Sequence, residues 1–394
     1  MTGPSPRWAL IVLLGLASGL SAFGMASVVP ALPTLERSFN ADYASLQFVV
    51  SAYLLGLGLF QPIQGLLADR FGRRPVILAG FSVFAAASLL ASIANSLLLL
   101  VLARFLQAMG VSVATVVSRA VVRDSFEPGP AAIALSFITA VMGVAPVIAP
   151  IIGGLAAVTL GWQGVFWVHA IAAVLLLALL AGTLRETRPI DTQAMSLQQL
   201  VQGGALLLRD AGFMGAASTY GFVSASGIIF ITVGASLYER LFGMGGASFG
   251  LLWSGLAVSY VAGATSAGHL ARRLGAPRSL RVGFASNVIS VSLLVIGALL
   301  PEPSVTLFST ALALLMFASG LISPLALSQA VDDHPTLAGV AAGLSSALAM
   351  LFSMGGAILT GIFFDGTALP CALLMLATTA GTGWAMRVAE RRHW

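Results

Sequence analysis

The chain has 394 residues, of which 58% are hydrophobic and only 8% charged. A soluble domain carries about 25% charged residues, so there is too little polar material here to cover a water-facing surface. That excludes a soluble enzyme, a disordered regulator and a secreted disulfide scaffold, and leaves an integral membrane protein. The formal net charge is +5, and all 19 basic residues are arginine. They are scattered between apolar runs and form no basic stripe of the kind that binds nucleic acid. The single cysteine, Cys371, excludes an internal disulfide and a Cys-based metal site. It falls in a late apolar run and reads as a small buried hydrophobe.

A bilayer-crossing helix needs about 20 mostly apolar residues. Twelve such runs follow one another, the first six over 8–31, 45–68, 75–95, 97–121, 131–157 and 163–184. The second six cover 211–237, 247–271, 280–300, 304–330, 337–363 and 368–388. They are too long and too continuous for porin-like strands, which alternate in segments of about 10 residues. The expected class is therefore an all-α membrane protein with 12 transmembrane helices. The first run follows Arg7 but continues past the 7–15 residues of a signal h-region. It ends in Val29-Pro30-Ala31-Leu32-Pro33 with no convincing cleavage site, so it is read as a retained helix.

The turn after the second run reads Gly65-Leu66-Leu67-Ala68-Asp69-Arg70-Phe71-Gly72-Arg73-Arg74-Pro75. Gly65 is expected to let a neighbouring helix approach closely, and Gly72 to supply a positive φ. Asp69 can pair with a nearby arginine or face a helix N-terminus. In the fourth run Arg104 is the one strongly charged side chain deep in a span, followed by Phe105-Leu106-Gln107. Its burial costs at least about 2.5–3.5 kcal/mol on insertion scales, so it is expected to face the interior and to have a partner. That run closes in Ser118-Arg119-Ala120-Val121-Val122-Arg123-Asp124. The fifth contains Gly143, Pro146, Pro150, Gly153 and Gly154. Its prolines remove backbone donors and are expected to bend the helix, and its glycine pair permits tight packing. The sixth run opens with Gly161-Trp162-Gln163-Gly164-Val165-Phe166-Trp167 and contains His169.

The longest polar stretch, Arg185 to Asp210, divides the runs six and six. An interfacial helix is expected over 195–208. Gly268-His269-Leu270-Ala271-Arg272-Arg273-Leu274-Gly275 echoes the Gly65 turn 203 residues later, with Arg272 in place of the Asp. The expected organisation is a first bundle over 1–187, a linker over 188–210 and a second bundle over 211–394. Sixteen arginines fall on the side that carries both termini and two, Arg37 and Arg240, on the other. An arginine excess marks cytoplasmic loops, so both termini are expected in the cytoplasm.

These motifs resemble those of the major facilitator superfamily, whose fold is two pseudo-symmetric six-helix bundles rocking about a central substrate. The Gly65, Asp69, Arg70, Gly72, Arg73 and Arg74 turn matches its signature between helices 2 and 3, which implies a conformational latch. Arg104 lies in the pattern that the superfamily ties to proton coupling. The fifth run resembles its antiporter motif, with Ala149 in place of a Gly. Together with the helix-1, helix-4 and helix-6 ends, these features are similar to the bicyclomycin-resistance (Bcr/CflA) branch of drug:proton antiporters. The likeness is dense over about 25–187, while the second half matches in helix pattern alone.

That resemblance implies a multidrug exporter of the bacterial inner membrane, driven by proton antiport. Its partners would be the bilayer, protons and a small amphipathic cargo, with no nucleic acid and no cofactor, in a monomer. One feature departs from the branch. Its helix 1 commonly carries an acid four positions before the proline, and here Ala26 stands there. No Asp or Glu lies deep in any run. Coupling then falls to Arg104 with Asp124, Asp69 or His169, since histidine titrates near neutral pH. The expected cavity residues are Tyr53, Gln61, Gln107, Ser118, Tyr220, Trp253 and Tyr260, an aromatic and polar set that suits amphipathic ligands. With so few acids, neutral or zwitterionic cargo is expected over strongly cationic drugs. A metabolite exporter or an uncoupled facilitator on the same scaffold stands as the alternative. No Walker loop, metal cluster or nucleophile motif points to an enzyme.

Overall fold

A computed structural model describes residues 8–188, 197–334 and 337–390, and the regular elements among them are all helical. Lipid offers no water to a free N–H or C=O, so a spanning segment must close its own hydrogen bonds. Helix α1 covers Trp8–Ala26, and a 3₁₀ turn, Val29–Ala31, leads into α2, Leu32–Phe39. There follow α3 (Tyr43–Phe71), α4 (Arg73–Ser92), α5 (Leu97–Ser125), α6 (Pro128–Leu160) and α7 (Trp162–Thr183). In the linker α8 (Leu197–Arg209) stands close to the interfacial helix expected over 195–208. The second half holds α9 (Ala211–Phe242), α10 (Gly246–Leu274), α11 (Ala276–Leu299), α12 (Val305–Asp332), α13 (Ala338–Phe363) and α14 (Leu369–Glu390). Among the described residues, twelve stretches are long and apolar enough to cross a membrane, in the places the sequence suggests. Arg7, Arg391, Arg392 and linker residues 189–196 lie outside the described residues.

Some ends differ from expectation. The first span does not run unbroken over 8–31. It yields after Ala26 and resumes as α2, which buries Leu32 and Leu35 and reaches Phe39. Pro30 and Pro33 sit in the first turns of the new segments, where a missing N–H costs nothing. The fourth span continues to Ser125 and the seventh to Phe242. Their last turns are polar, so helix propagation carries Arg123, Asp124, Glu239 and Arg240 past the apolar run. α6 is one unbroken helix with Pro146 and Pro150 inside it.

Helices α1 and α3–α7 pack on one another, as do α9–α14, and two long seams join the groups, α3 with α13 and α6 with α10. Lipid tails are as apolar as leucine, so helices associate through close packing of small residues. A Cβ on Gly56 would lie 2.8 Å from the Phe105 oxygen of α5, and one on Gly110 would lie 2.6 Å from the Gly80 oxygen of α4. Gly153 presses on the Ser27 carbonyl at the end of α1. Gly65, by contrast, has ordinary room, with Val116 at 3.6 Å from a built Cβ. The close approach expected there falls on Gly56, Gly80 and Gly110 instead.

The terminal face is the side on which Trp8 and Glu390 lie, and the distal face is opposite. Toward the distal face both seams are tight. A Cβ on Gly361 of α13 would lie 2.7 Å from Gln47, and one on Gly58 of α3 would lie 3.1 Å from Met350. Ser254 of α10 donates to the Val147 carbonyl of α6, and a Cβ on Gly250 would lie 2.5 Å from the Pro150 oxygen. One and two turns from Ala347 toward the terminal face, Gly343 and Gly339 lie on the same stripe of α13. A Cβ on either meets nothing within 4 Å. Both seams are thus closed distally, while the α3–α13 seam has no described neighbour for α13 at Gly343 and Gly339 on the terminal side.

Gly153→Ala sets a methyl against backbone that cannot step aside, and overpacking of this kind costs about 1–3 kcal/mol. The expected outcome is a lower thermal midpoint in detergent. Gly255→Ala, where a Cβ meets nothing within 4 Å, is expected to melt like the parent.

Candidate functional site

Arg104 is fully buried on α5, 0% exposed. Its Nη1 donates to the Gly24 carbonyl of α1 at 3.0 Å and to Gln107 Oε1 at 3.0 Å. Its Nε donates to the Val49 carbonyl of α3 at 3.3 Å. The guanidinium carbon lies 4.0 Å from the centre of the Tyr53 ring, a contact worth about 2 kcal/mol when desolvated. Tyr53 is held there by donating to the Ser21 carbonyl at 2.9 Å. Among the described residues Nη2 has no hydrogen-bond partner. The ion pairs among the described residues do not include Arg104. The expected partner therefore exists, but it is carbonyls, an amide and an aromatic face, not an acid.

Because arginine only donates, it orients everything beyond it. Gln107 must present its oxygen to Arg104, so its Nε2 points away and donates to Ser88 Oγ at 2.7 Å and to His169 Nδ1 at 3.4 Å. His169 Nδ1 then accepts, which leaves the neutral Nε2–H form donating to Ser27 Oγ at 2.6 Å. Ser27 donates onward to the Phe23 carbonyl at 2.7 Å. His169 is 0% exposed, and the rings of Phe23, Phe84 and Phe166 surround it at 5.7–6.1 Å. The network joins α1, α3, α4, α5 and α7.

A second constellation straps the terminal face. Gly72 adopts φ +104° between α3 and α4, a conformation that L side chains rarely take. The turn points Arg73 inward, where its side chain pairs with Asp69 one turn earlier. Its Nε also pairs with Asp124 of α5 at 3.0 Å. Asp124 thus serves Arg73, not Arg119 or Arg123 as its sequence neighbourhood suggests. Glu186, just past α7, accepts from the backbone N–H groups of Arg73 (2.8 Å), Arg74 (3.2 Å), Thr187 (3.0 Å) and Arg188 (2.9 Å). Partial burial opposes its ionisation, but those four donors outweigh it and hold its carboxyl below the usual value. Arg188 also donates to the Arg70 carbonyl at 2.7 Å, and Arg74 to the Ala181 carbonyl at 2.8 Å. In the second half Gly275 repeats the positive φ at +82°, but no acid stands there.

At the distal face two ion pairs cross between the halves: Arg37 with Glu239 and Arg240 with Glu36, each at 3.0 Å. Glu36-Arg37 and Glu239-Arg240 are the same dipeptide, 203 residues apart. That is the spacing of the two Gly-turn copies, so the pairs are reciprocal across the internal repeat.

The expected cavity residues divide. Tyr53, Gln107 and Ser118 are all fully buried within the first bundle. Ser118 donates to the Leu14 carbonyl at 3.3 Å. Trp253 packs against Phe230, with ring centres 5.5 Å apart. Helix packing has taken these four, so in this conformation they do not line an opening. Gln61 and Tyr220 are half-buried, while Tyr260 is 38% exposed. In the antiporter-like segment, Gly143 faces Val261 across the α6–α10 seam, the Pro150 oxygen faces Gly250, and Gly154 is buried.

The profile of the Major Facilitator Superfamily matches residues 14–360. The chain belongs to that superfamily. Multidrug resistance protein D of Escherichia coli is 29% identical over 346 residues, covering 86% of this chain and 85% of that one. The bicyclomycin resistance protein homolog of Haemophilus influenzae is 27% identical over 373 residues, covering 93% and 92%. A solved bacterial homologue of the human lysosomal transporter Spinster, inward-facing and unoccupied, superposes with a TM-score of 0.79. It is 16% identical and covers 100% of this chain and 99% of its own, a likeness of fold alone. The protein is a membrane-spanning facilitator of two six-helix bundles, a transporter and not an enzyme.

Sequence reasoning missed three features of this facilitator. Glu186 is hidden in a polar linker, because its partners are backbone groups with no residue code. Ser27 looks like any small helix residue until α7 brings His169 to it. The Glu-Arg dipeptides were visible, since Arg37 and Arg240 stood alone on the far side, and the common spacing of 203 residues would have paired them.

Two outcomes are expected. Replacing both Glu36 and Glu239 with Gln in a Cys371→Ala background leaves two unpaired arginines and loosens the distal seal. A cysteine at Gln47, behind that seal, then reacts faster with a membrane-impermeant maleimide than in the paired protein. Exchanging the charges of one pair (Arg37→Glu with Glu239→Arg) returns the slow rate. For the strap, a carboxyl held below its unfolded value stabilises fully above pH about 4.3. That contribution is lost as pH falls through the lowered value. Glu186→Gln is expected to lower the thermal midpoint at pH 7 and to flatten its dependence on acid.

Proposed function

We propose that this facilitator exports small amphipathic drug-like compounds from the cytoplasm across a bacterial inner membrane by alternating access, as a monomer. Residues 1–187 and 211–394 move as two units joined by the 188–210 linker, and both termini lie in the cytoplasm. The arginine excess on the terminal face supports that orientation. The observation that carries the reading is the asymmetry of the seams. Two reciprocal ion pairs close the distal face, while the α13 stripe below Ala347 has no neighbour on the terminal side. The conformation is one that loads from the cytoplasm. Relatives named for multidrug and bicyclomycin resistance support drugs as the cargo.

Coupling to protons is proposed through the Arg104 network. Its donor order holds His169 neutral, because a proton on Nδ1 would face the Gln107 amide N–H. Protonation thus requires Gln107 to turn, which takes its oxygen from Arg104 and leaves the guanidinium to the Gly24 and Val49 carbonyls and the Tyr53 ring. The proton load is in this way tied to the packing of α1, α3 and α5. A second reading, uncoupled facilitation, is favoured by one observation: every hydrogen-bond partner of Arg104 is non-titrating.

Cells expressing the protein are expected to tolerate higher concentrations of substrate drugs, and proteoliposomes with an imposed pH gradient to accumulate them. Collapsing the gradient stops accumulation if coupling operates. Arg104→Ala and His169→Phe then leave equilibration down a gradient but no uphill transport. Accumulation that persists without the gradient refutes coupling and leaves the facilitator.

A further inference from the structure

We infer that His334 is a pH-sensitive clamp on the terminal face of the second bundle: as an imidazolium paired with Asp210 it ties the turn between α12 and α13 to the start of α9. The inference is independent of the cargo and of how transport is driven. His334 Nε2 lies 3.5 Å from Asp210 Oδ2, with the two side chains only 13% and 7% exposed. Hydrogen bonds fix both ends of this contact. The His334 N–H donates to the Val331 carbonyl in the last turn of α12, and the His334 carbonyl accepts from the N–H of Leu337 at the head of α13, each at 3.0 Å. Asp210 caps α9, its Oδ1 accepting from the N–H groups of Gly212 at 2.8 Å and Phe213 at 3.1 Å. The Phe213 ring meets the imidazole edge-on, with ring centres 6.1 Å apart. Leu207 of α8, Phe213 of α9, Ala330 of α12 and Val340 of α13 pack beside it in one apolar cluster. One imidazole thus stands where four helices meet.

The first bundle straps its terminal face with Arg73, a group that stays charged, between Asp69 and Asp124. The second bundle cannot copy this, because Arg272 stands where the acid would be. Among the described residues its ion pairs on this face are Arg281 with Glu390, both exposed, and His334 with Asp210. The pair shielded from water is therefore the one that can lose its charge, since an imidazole changes charge around neutral pH. The first two turns of α9 and of α13 carry no ionisable side chain. The other charged groups on the elements packed here are Asp332 and Asp333 at the end of α12 and Arg209 at the end of α8, all exposed. Asp332 is also engaged along its own helix by Ser328. Loss of the proton from His334 removes the ion pair and frees the start of α13, where a Cβ on Gly339 or Gly343 would meet no neighbour.

The test is amide hydrogen exchange of the full chain in phosphatidylcholine nanodiscs, corrected for the intrinsic dependence of exchange on pH. It is read at the first two turns of α13, residues 338–345, with the first two turns of α4, residues 73–80, as the control. A histidine–acid pair contributes fully below about pH 6.5, the ordinary histidine value, and its contribution is lost as pH rises. Protection of 338–345 is expected to be about fivefold greater at pH 5.5 than at pH 8. Asp210→Asn keeps the α9 cap, because asparagine caps as well as aspartate, and should bring the pH 5.5 value down to the pH 8 value. His334→Gln should do the same, and neither variant should alter 73–80. Equal protection of 338–345 at the two pH values in the parent protein overturns the inference without any variant. A pH response that persists undiminished in Asp210→Asn also overturns it. So does a loss of protection that spreads equally to 73–80, which would make Asp210 a residue of general stability and not a clamp.

Discussion

A polar group in a hydrocarbon slab must find its partner inside the protein, and Arg104 is where that demand is hardest to meet. With no acid in reach among the described residues, the chain surrounds the guanidinium with two helix carbonyls, an amide oxygen and the face of Tyr53. Each of these comes at the expense of freedom elsewhere. The Gly24 and Val49 carbonyls belong to α1 and α3, so the charge holds three helices at one depth. Gln107 is forced into one orientation, which sets the tautomer of His169 and engages Ser27. The interior of the first bundle is organised outward from a single donor-only side chain.

The same scarcity of charge explains the two faces. Exposed ion pairs contribute little, about 0–1 kcal/mol each, so the distal pairs cannot lock the molecule permanently. Under the proposed alternating access they lie between halves that separate, and weak reciprocal contacts suit a seal that opens in every cycle. The terminal strap is different in kind. Arg73 is only 6% exposed and is bound to two carboxylates within one bundle. Its partner motif, Glu186, gathers backbone donors from both sides of the turn. The strap stiffens the first half and leaves the gap between halves free.

The internal repeat relates these parts. A spacing of 203 residues links the glycine turns and also the Glu-Arg dipeptides. The repeat is symmetric where the halves must grip each other and asymmetric where only one of them carries the strap. Arg272, in the place of Asp69, means that the second half has a turn of the same shape without its ion pair.

The sequence by itself determined the twelve spans, the division into halves, the membership suggested by its motifs and the face on which arginine accumulates. These follow from local quantities: apolar run length, residue spacing and charge count, all of which are set before any helix meets another. It also marked Arg104 as the interior charge, because a lone arginine in an apolar run needs no neighbour to be noticed. Only the tertiary structure decided who answers that charge, since carbonyls carry no residue identity and Gly24, Val49 and Tyr53 lie far from it in the chain. It decided as well that Tyr53, Gln107, Ser118 and Trp253 are packing residues in this conformation and that Asp124 serves Arg73 and not its neighbours in the chain. Exposure depends on which helices lie across the gap, and that is a property of the assembled bundle.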